Sequence, residues 1–347
     1  MRVLQVDSGR EWRGGQNQVR LLCRELAREP SVELRLVTRR DGELHRRAQQ
    51  DGVHVREATW SIGLDPRAWF AIVREIAAFR PDVVHVHDSH ALQLAAWALP
   101  WTRVPPRFVG SRRVDFHIGR RSGWRSVNRI IAISEAVKAV LVTDGLPATE
   151  IAVVPSGIDP EEVRRAAQVP LHIRARLALP PSTPLAVNVA ALVDHKDQRT
   201  LIHAARYARA QRPDLHWVIA GEGALRGSLA AEIAHVELGD RVHLLGYVEA
   251  ADALIREADV FVMSSKEEGL GSVILNALAL GKPVVATAGG GIPEILPPQA
   301  LVPVGDAAAL AQKVMRALEH PSPVPLPPRF TASAMAHSVL AVYRSLL

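Results

Sequence analysis

The chain has 347 residues, of which 48% are apolar and 5% aromatic. That is too long for one ordinary core and suits two domains of about 150 residues. No apolar run approaches the roughly 20 residues needed to cross a bilayer, and the single cysteine, Cys23, excludes an intrachain disulfide and points to a reducing, cytoplasmic setting. The formal charge of +6 is unevenly placed. Residues 1–130 hold 23 arginines and no lysine against 14 acidic side chains, a net +9, whereas the remainder is net −3. A basic first half beside a slightly acidic second one points to an anionic partner for the first half alone. With few aromatics and no recognised binding motif, nucleic acid is not that partner.

Residues 1–7 form a first strand rather than a secretion signal. Gly14-Gly15 follows and leads into an apolar helix over residues 19–27, in which Cys23 is a buried structural thiol. Glycines at that turn let backbone N–H groups approach a phosphate, and the helix amino end favours negative charge; a merely flexible turn is the competing reading. Further β-like runs fall at 33–37, 83–86, 107–110, 130–133 and 151–154. His85-Val86-His87-Asp88 closes the second of these with two histidines on one side of a strand. No additional Cys/His set accompanies them, so packing of His85 or a lining role comes before a metal site. Ser111-Arg112-Arg113 follows the next strand, then Gly119-Arg120-Arg121-Ser122-Gly123-Trp124-Arg125. Arginines with an interleaved tryptophan suit phosphate or an anionic membrane surface, a solvated basic face being the alternative.

The segment 160–184, with Pro180-Pro181, marks the domain boundary, which gives a first domain of 1–165 and a second of 166–329. A second array of β-like runs occupies 185–189, 216–220, 242–245, 260–263 and 284–286. Two successive βα arrays predict an α/β protein with two doubly wound parallel sheets facing across a cleft. Lys196 lies just past the strand that opens the second array, where an ammonium can offset charge developing on a leaving diphosphate, a solvated surface lysine being the competing reading. Gly221-Glu222-Gly223 starts a motif one residue longer than the dinucleotide fingerprint, and its place at a second strand speaks for tight packing beside a nucleotide. The most informative stretch is 260–287: a strand, then Glu268-Gly269-Leu270-Gly271, an Ala/Leu-rich helix, a Gly-Lys-Pro break and another strand. Its loop sits where such sheets bind ligands, and an acid beside an anion site is placed for a sugar hydroxyl. A Pro-rich crossing at 321–328 precedes an amphipathic helix over 333–347, with Met335, Val339, Leu340 and Tyr343 on one face, that rejoins the first domain.

Taken in order, these pieces resemble the retaining GT-B glycosyltransferases of family 4 (glycosyltransferase group 1) over essentially the whole chain. The match runs through the Gly-Gly loop, Pro81-Asp82-Val83-Val84-His85-Val86-His87, Ile133-Ser134-Glu135-Ala136 and Val154-Pro155-Ser156-Gly157-Ile158-Asp159. It continues through Lys196, Gly221-Glu222-Gly223, Leu245-Gly246-Tyr247-Val248, Ala258-Asp259-Val260, Glu268-Gly269-Leu270-Gly271 and Ala288-Gly289-Gly290-Gly291-Ile292-Pro293-Glu294. The resemblance implies that the second domain binds a nucleotide-sugar donor and the first an acceptor, with no metal and no cofactor. Glu268 matches the first Glu of the family's Glu-x7-Glu motif, which contacts the donor sugar. Gly269, Leu270 and Gly271 would present N–H groups, Lys196 matches the diphosphate-binding lysine, and Gly14 and Gly15 match the loop that closes on the donor phosphates. Gly221 falls beside the nucleotide, and Tyr247-Val248 matches the base-contacting loop.

This chain departs from the family's pattern at three places. Asn276 replaces the motif's second, ribose-binding Glu, and Ala191 replaces an arginine five residues before Lys196. The family's first-domain histidine falls at Arg113 or His117. The implied acceptor is a lipid-linked or phosphorylated glycan, such as a lipopolysaccharide intermediate at the inner face of a membrane, held by His87, Arg112, Arg120 and Arg121. A sugar-nucleotide epimerase on the same fold, or a binding protein weakened at Ala191 and Asn276, are the other readings.

Overall fold

A computed structural model describes every residue except Arg103, Arg120 and Arg121, together with the backbone but not the side chain of Trp101. Among the described residues the chain divides into two units, Met1–Ile158 with Pro328–Leu347, and Asp159–Pro327.

In the first unit β1 (Arg2–Asp7), β2 (Glu33–Arg39), β3 (Val55–Ala58), β4 (Val83–Val86), β5 (Arg107–Arg112), β6 (Arg129–Ala132) and β7 (Ile151–Val153) make one parallel sheet in the order β3-β2-β1-β4-β5-β6-β7. Its helices are α1 (Gly14–Ala27), α2 (Glu43–Gln50), α3 (Pro66–Phe79), α4 (Ser89–Ala98) and α5 (Glu135–Thr143). Central strands such as Val83–Val86 are buried throughout, as a sheet covered on both faces requires. Strand β3 has two exposed residues among its four, at the sheet edge, and its polar sequence hid it from a hydrophobic-run reading. The helix starts are chemically marked: the Asp88 carboxylate accepts from His90 and Ala91 N–H at α4, and Ser134 Oγ accepts from Val137 N–H at α5.

The second unit opens with α6 (Pro160–Ala166) and α7 (Ile173–Arg176). Strands β8 (Leu185–Val189), β9 (His216–Ala220), β10 (Val242–Gly246), β11 (Val260–Met263), β12 (Val284–Thr287) and β13 (Leu301–Val302) follow, in the order β10-β9-β8-β11-β12-β13. They alternate with α8 (Gln198–Arg209), α9 (Arg226–His235), α10 (Ala251–Glu257), α11 (Val273–Ala279) and α12 (Ala307–Glu319). The expected boundary segment 160–184 is not a linker, and the first unit ends at Ile158 rather than 165. Asp159 caps α6, whose Arg164 Nε donates to Ala279 O at 3.3 Å, and Ile173 is buried in a core cluster with Leu185, Val187 and Val218. These apolar contacts belong to the second unit, so the chain crosses before α6.

The return crossing leads into α13 (Ala332–Arg344), whose Met335, Val339, Leu340 and Tyr343 pack in one cluster with Val19, Leu22, Cys23 and Leu26 of α1. Where the two crossings meet, Ile158 N donates to Phe330 O at 2.9 Å and Ala332 N to Ile158 O at 2.8 Å. The Gln18 amide both receives from Gly157 N and donates to Gly157 O.

In each sheet the strand order reverses once, between β1 and β4 and between β8 and β11. Loops leaving the carboxyl ends of strands at such a point part to opposite faces and leave a crevice in which ligands bind.

Candidate functional site

At the β8/β11 reversal, the loop after β8 is braced by the loop after β9. Leu192 N donates to Glu222 O at 2.9 Å and Leu225 N to Leu192 O at 3.1 Å. A Cβ on Gly221 (φ +148) would stand 1.9 Å from Ala190 O, so this glycine permits two backbones to touch. The braced loop then turns through Asp194–Lys196, and Ser264 Oγ, just past β11, donates to Lys196 O at 3.0 Å.

The Lys196 ammonium so placed lies 2.5 Å from Glu268 Oε1, with the two side chains only 18% and 9% exposed. Glu268 Oε1 also accepts from Ser265 Oγ at 3.1 Å. Either charge alone at such burial would be costly, so the pair fixes both groups at the sheet's ligand edge. The Glu268 backbone is held in turn: Gly291 N donates to Glu268 O at 2.8 Å, and a Cβ on Gly290 (φ +53) would stand 2.1 Å from that oxygen. Leu270 is buried and Gly271 adopts φ +83, which completes a tight loop from Glu268 into α11.

Asn276, expected at the donor, has its Nδ2 donating to Asp252 Oδ1 of α10 at 2.7 Å. Burial raises the Asp252 carboxyl above its ordinary range. Tyr247 and Val248 line a cavity of about 380 Å3 with Ile173, Arg176, Leu177, Leu245 and Glu249, and Tyr247 is exposed. That cavity belongs wholly to the second unit.

In the first unit, Gly14 opens α1, a 14-residue helix whose N-cap, Arg13, makes no side-chain cap bond and whose first turn carries no acid. Gly14 is exposed and Gly15 half-buried. At the β1/β4 reversal, Ser8 donates from N and Oγ to the Asp88 carboxylate at 2.7 and 2.6 Å. Burial and the neighbouring Asp88 charge push the Asp7 carboxyl up to about 7.

His87 is buried, with Nε2 2.7 Å from Gln5 Oε1 and Nδ1 3.3 Å from Arg113 Nη2. Both ring nitrogens are engaged within the protein, which corrects its reading as an acceptor contact. Burial holds the His85 imidazole down near 3 and that of His87 well below the usual histidine range. Burial also brings the Arg113 guanidinium down to about 10. Arg113 thus joins the reversal-point cluster, whereas His117 pairs instead with Asp144, Nδ1 to Oδ1 2.6 Å, on a side chain 71% exposed. The Asp144 carboxyl is held below its ordinary range by the Ile118 N–H and His117.

The Arg/Trp segment is corrected too. Trp124 is buried beneath Gly110, and the guanidinium of the equally buried Arg112 lies 5.4 Å from its ring centroid. Arg112 Nη2 donates to Phe116 O at 2.6 Å, so Arg112 is enclosed rather than offered to an acceptor. Arg125 stays exposed and donates to Gly145 O at 3.2 Å. Arg120 and Arg121 lie outside the described residues. Gln5 and Tyr343, which complete the cluster around His87, escaped sequence reasoning because 338 positions separate them.

Residues 12–162 match the family model described as Glycosyltransferase Family 4, and residues 171–335 match Glycosyl transferases group 1. An amylovoran biosynthesis glycosyltransferase, AmsK of Erwinia amylovora, is 31% identical over 198 residues, 54% of this chain but only 46% of AmsK. A 2-deoxystreptamine glucosyltransferase of Streptomyces kanamyceticus is 28% identical over 273 residues, 76% of this chain and 68% of its own length. The crystal structure of Anabaena Alr3699/HepE in complex with UDP superposes over 99% of this chain and 100% of that one, with a TM-score of 0.80 at 19% identity, and shows the same GT-B fold.

Proposed function

The chain belongs to the group 1 glycosyltransferases, and we propose that it moves a sugar from a nucleoside diphosphate to a hydroxyl of a lipid-linked or phosphorylated glycan. In this reading the transfer proceeds with retention at the anomeric carbon, needs no metal or cofactor, and takes place against an anionic membrane surface from the cytoplasmic side. The Lys196–Glu268 pair at the β8/β11 reversal carries the reading. Lys196 has three N–H donors, so it can turn toward a departing diphosphate while Glu268 accepts from a sugar hydroxyl. An ammonium beside the departing diphosphate does the charge work a metal ion would otherwise do.

Glu268 positions the sugar, and the Gly269, Leu270 and Gly271 backbone lies beside it. Gly14 and Gly15 at the α1 start supply unopposed helix-end N–H groups to phosphate. Gly221 shapes the wall, and the cavity at Tyr247-Val248 is of a size for a nucleobase. UDP in the Anabaena neighbour supports a nucleotide donor. Both named relatives are glycosyltransferases, which favours transfer over epimerisation. The net +9 over residues 1–130 supports an anionic acceptor.

The test is a matrix of UDP-, GDP- and ADP-sugars against lipid-linked, phosphorylated and neutral acceptors, with the product anomer assigned by NMR. One donor gives turnover on a lipid-linked or phosphorylated acceptor, the anomeric configuration is kept, and chelator has no effect. Glu268→Gln cuts turnover about 100-fold, the scale of removing one fixed polar contact to a reacting centre. An unchanged Glu268→Gln rate, or an inverted product, defeats the assignment.

A further inference from the structure

We propose that Gln5, His87 and Tyr343 form a one-way hydrogen-bond relay that aims the Arg113 guanidinium at a phosphate oxygen bound at the carboxyl edge of the first unit's sheet. The inference rests on the glycosyl-transfer reading and adds three positioning residues to it, one of them from the last helix of the chain.

The polarity of the relay follows from donor and acceptor chemistry alone. Arg113 can only donate, so the His87 Nδ1 that faces its Nη2 at 3.3 Å must offer a lone pair. The proton of neutral His87 then sits on Nε2, which lies 2.7 Å from the Gln5 amide and needs an acceptor there. Gln5 therefore turns its Oε1 to His87 and its Nε2 to the Tyr343 hydroxyl, at 2.9 Å. A flipped amide would set two donors against each other at one end of the histidine or the other. Having accepted from Gln5, the Tyr343 hydroxyl donates to His85 Nδ1 at 2.6 Å, which leaves the His85 Nε2–H for Ser111 Oγ at 2.8 Å. All five bonds agree in direction, and all the members except Arg113 are buried.

The arrangement selects neutral imidazoles, since a second ring proton would put a donor against Arg113 or against the tyrosine. Their lowered basicity agrees with this. The guanidinium at the end of the relay is not saturated by it. It carries five N–H donors, and among the described residues its buried Nε has no hydrogen-bond partner. A cation held in place by a neutral ring, beside the β1/β4 reversal, keeps donors in reserve for an anion. The phosphate oxygen comes either from the donor diphosphate or from a phosphorylated acceptor.

A double-mutant cycle on the whole protein tests the relay. Arg113→Gln lowers kcat/KM about 100-fold and Tyr343→Phe about 10-fold, while the double variant stays within twofold of Arg113→Gln, because the tyrosine acts only through the arginine. Losses that multiply would overturn the relay even if both variants are impaired. Calorimetry with UDP and GDP, set beside the acceptor KM, separates the two anion sources. A weaker nucleotide Kd in both single variants marks the donor diphosphate, and a raised KM for phosphorylated acceptor alone marks the acceptor. No change in either contradicts the anion role. If Tyr343→Phe does not fold, Gln5→Met replaces it in the same cycle. Nitrogen-15 NMR of the wild type, which needs no turnover, finds His85 and His87 as Nε2–H tautomers from pH 5 to 8; an Nδ1–H tautomer at His87 would sink the relay. Wild type without turnover on every donor and acceptor defeats the glycosyl-transfer reading, while the tautomers still judge the relay.

Discussion

Asp7 stands at the carboxyl end of β1 with its oxygen accepting from Gly9 N at 2.9 Å, and burial beside Asp88 lifts its carboxyl from 3.8 to about 7. Between those pH values the folded chain holds a proton that the unfolded chain has released. Its contribution to stability is therefore lost as pH rises through this window. His85 acts in the opposite sense: its folded value near 3 lies below the unfolded 6.5, so stability is lost as pH falls below 6.5. The difference between Asp7→Asn and wild type isolates the carboxyl. The variant gains about 10 °C in Tm at pH 8 and about 0 °C at pH 4, because about three pK units amount to about 4 kcal/mol, on a scale of roughly 2–4 °C per kcal/mol. A shift of equal size at both pH values would show that the raised carboxyl is not its cause. Single residues differed in how legible they were. Glu268 and Lys196 announced themselves through local motifs; Asp7 and Gln5 look like ordinary strand residues until their neighbours from β4, β5 and α13 surround them.

At the level of elements, the loop from β11 to α11 owes its shape to the loop that follows β12. The carbonyl of Glu268 rests on Gly290 and accepts from Gly291 N at 2.8 Å, while Thr287 Oγ1 donates to Ser265 O at 2.6 Å. Gly290→Ala adds a Cβ that would lie 2.1 Å from the Glu268 carbonyl in a backbone conformation unfavourable to alanine. It should cost about 2–4 kcal/mol by thermal or urea unfolding and at least 10-fold in turnover, since the displaced loop carries Glu268. Gly239→Ala, where nothing stands within 4 Å, serves as the tolerant control. If both alanines behave alike, the loop is not braced in this way. Strands announced by continuous apolar runs were readable in order. The edge strands β3 and β13 were not, because one carries polar residues and the other has two residues only. The Arg/Trp segment was misread for a related reason: arginine and tryptophan spacing does not tell whether a ring lies on the surface or beneath a strand.

Across the whole molecule, the positive charge of residues 1–130 survives the enclosure of Arg112. On α3 it accompanies exposed apolar side chains: Phe70 is 65% exposed between Arg67 and Arg74, one turn away on either side, and Trp97 of α4 is 49% exposed. No helix among the described residues is long and apolar enough to cross a membrane. Aromatic rings with flanking guanidinium groups suit the surface of an anionic bilayer. The protein should therefore sediment with phosphatidylglycerol vesicles at low salt, release in about 0.5 M salt as the charge attraction is screened, and bind less in Phe70→Ser. Equal sedimentation with phosphatidylcholine vesicles would remove the membrane from the proposal. Sequence by itself determined the two βα arrays and the returning helix through periodicity, the GT-B family through its ordered motifs, and the strand-end positions of Lys196 and Glu268, because each of these is a local property of the chain. Tertiary structure alone decided that the crossing precedes α6, that Asn276 meets Asp252, that Trp124 is core and that Arg113 rather than His117 joins His87. Each of these depends on which distant backbone closes over a side chain, and burial of that kind is set by packing between elements far apart in the chain.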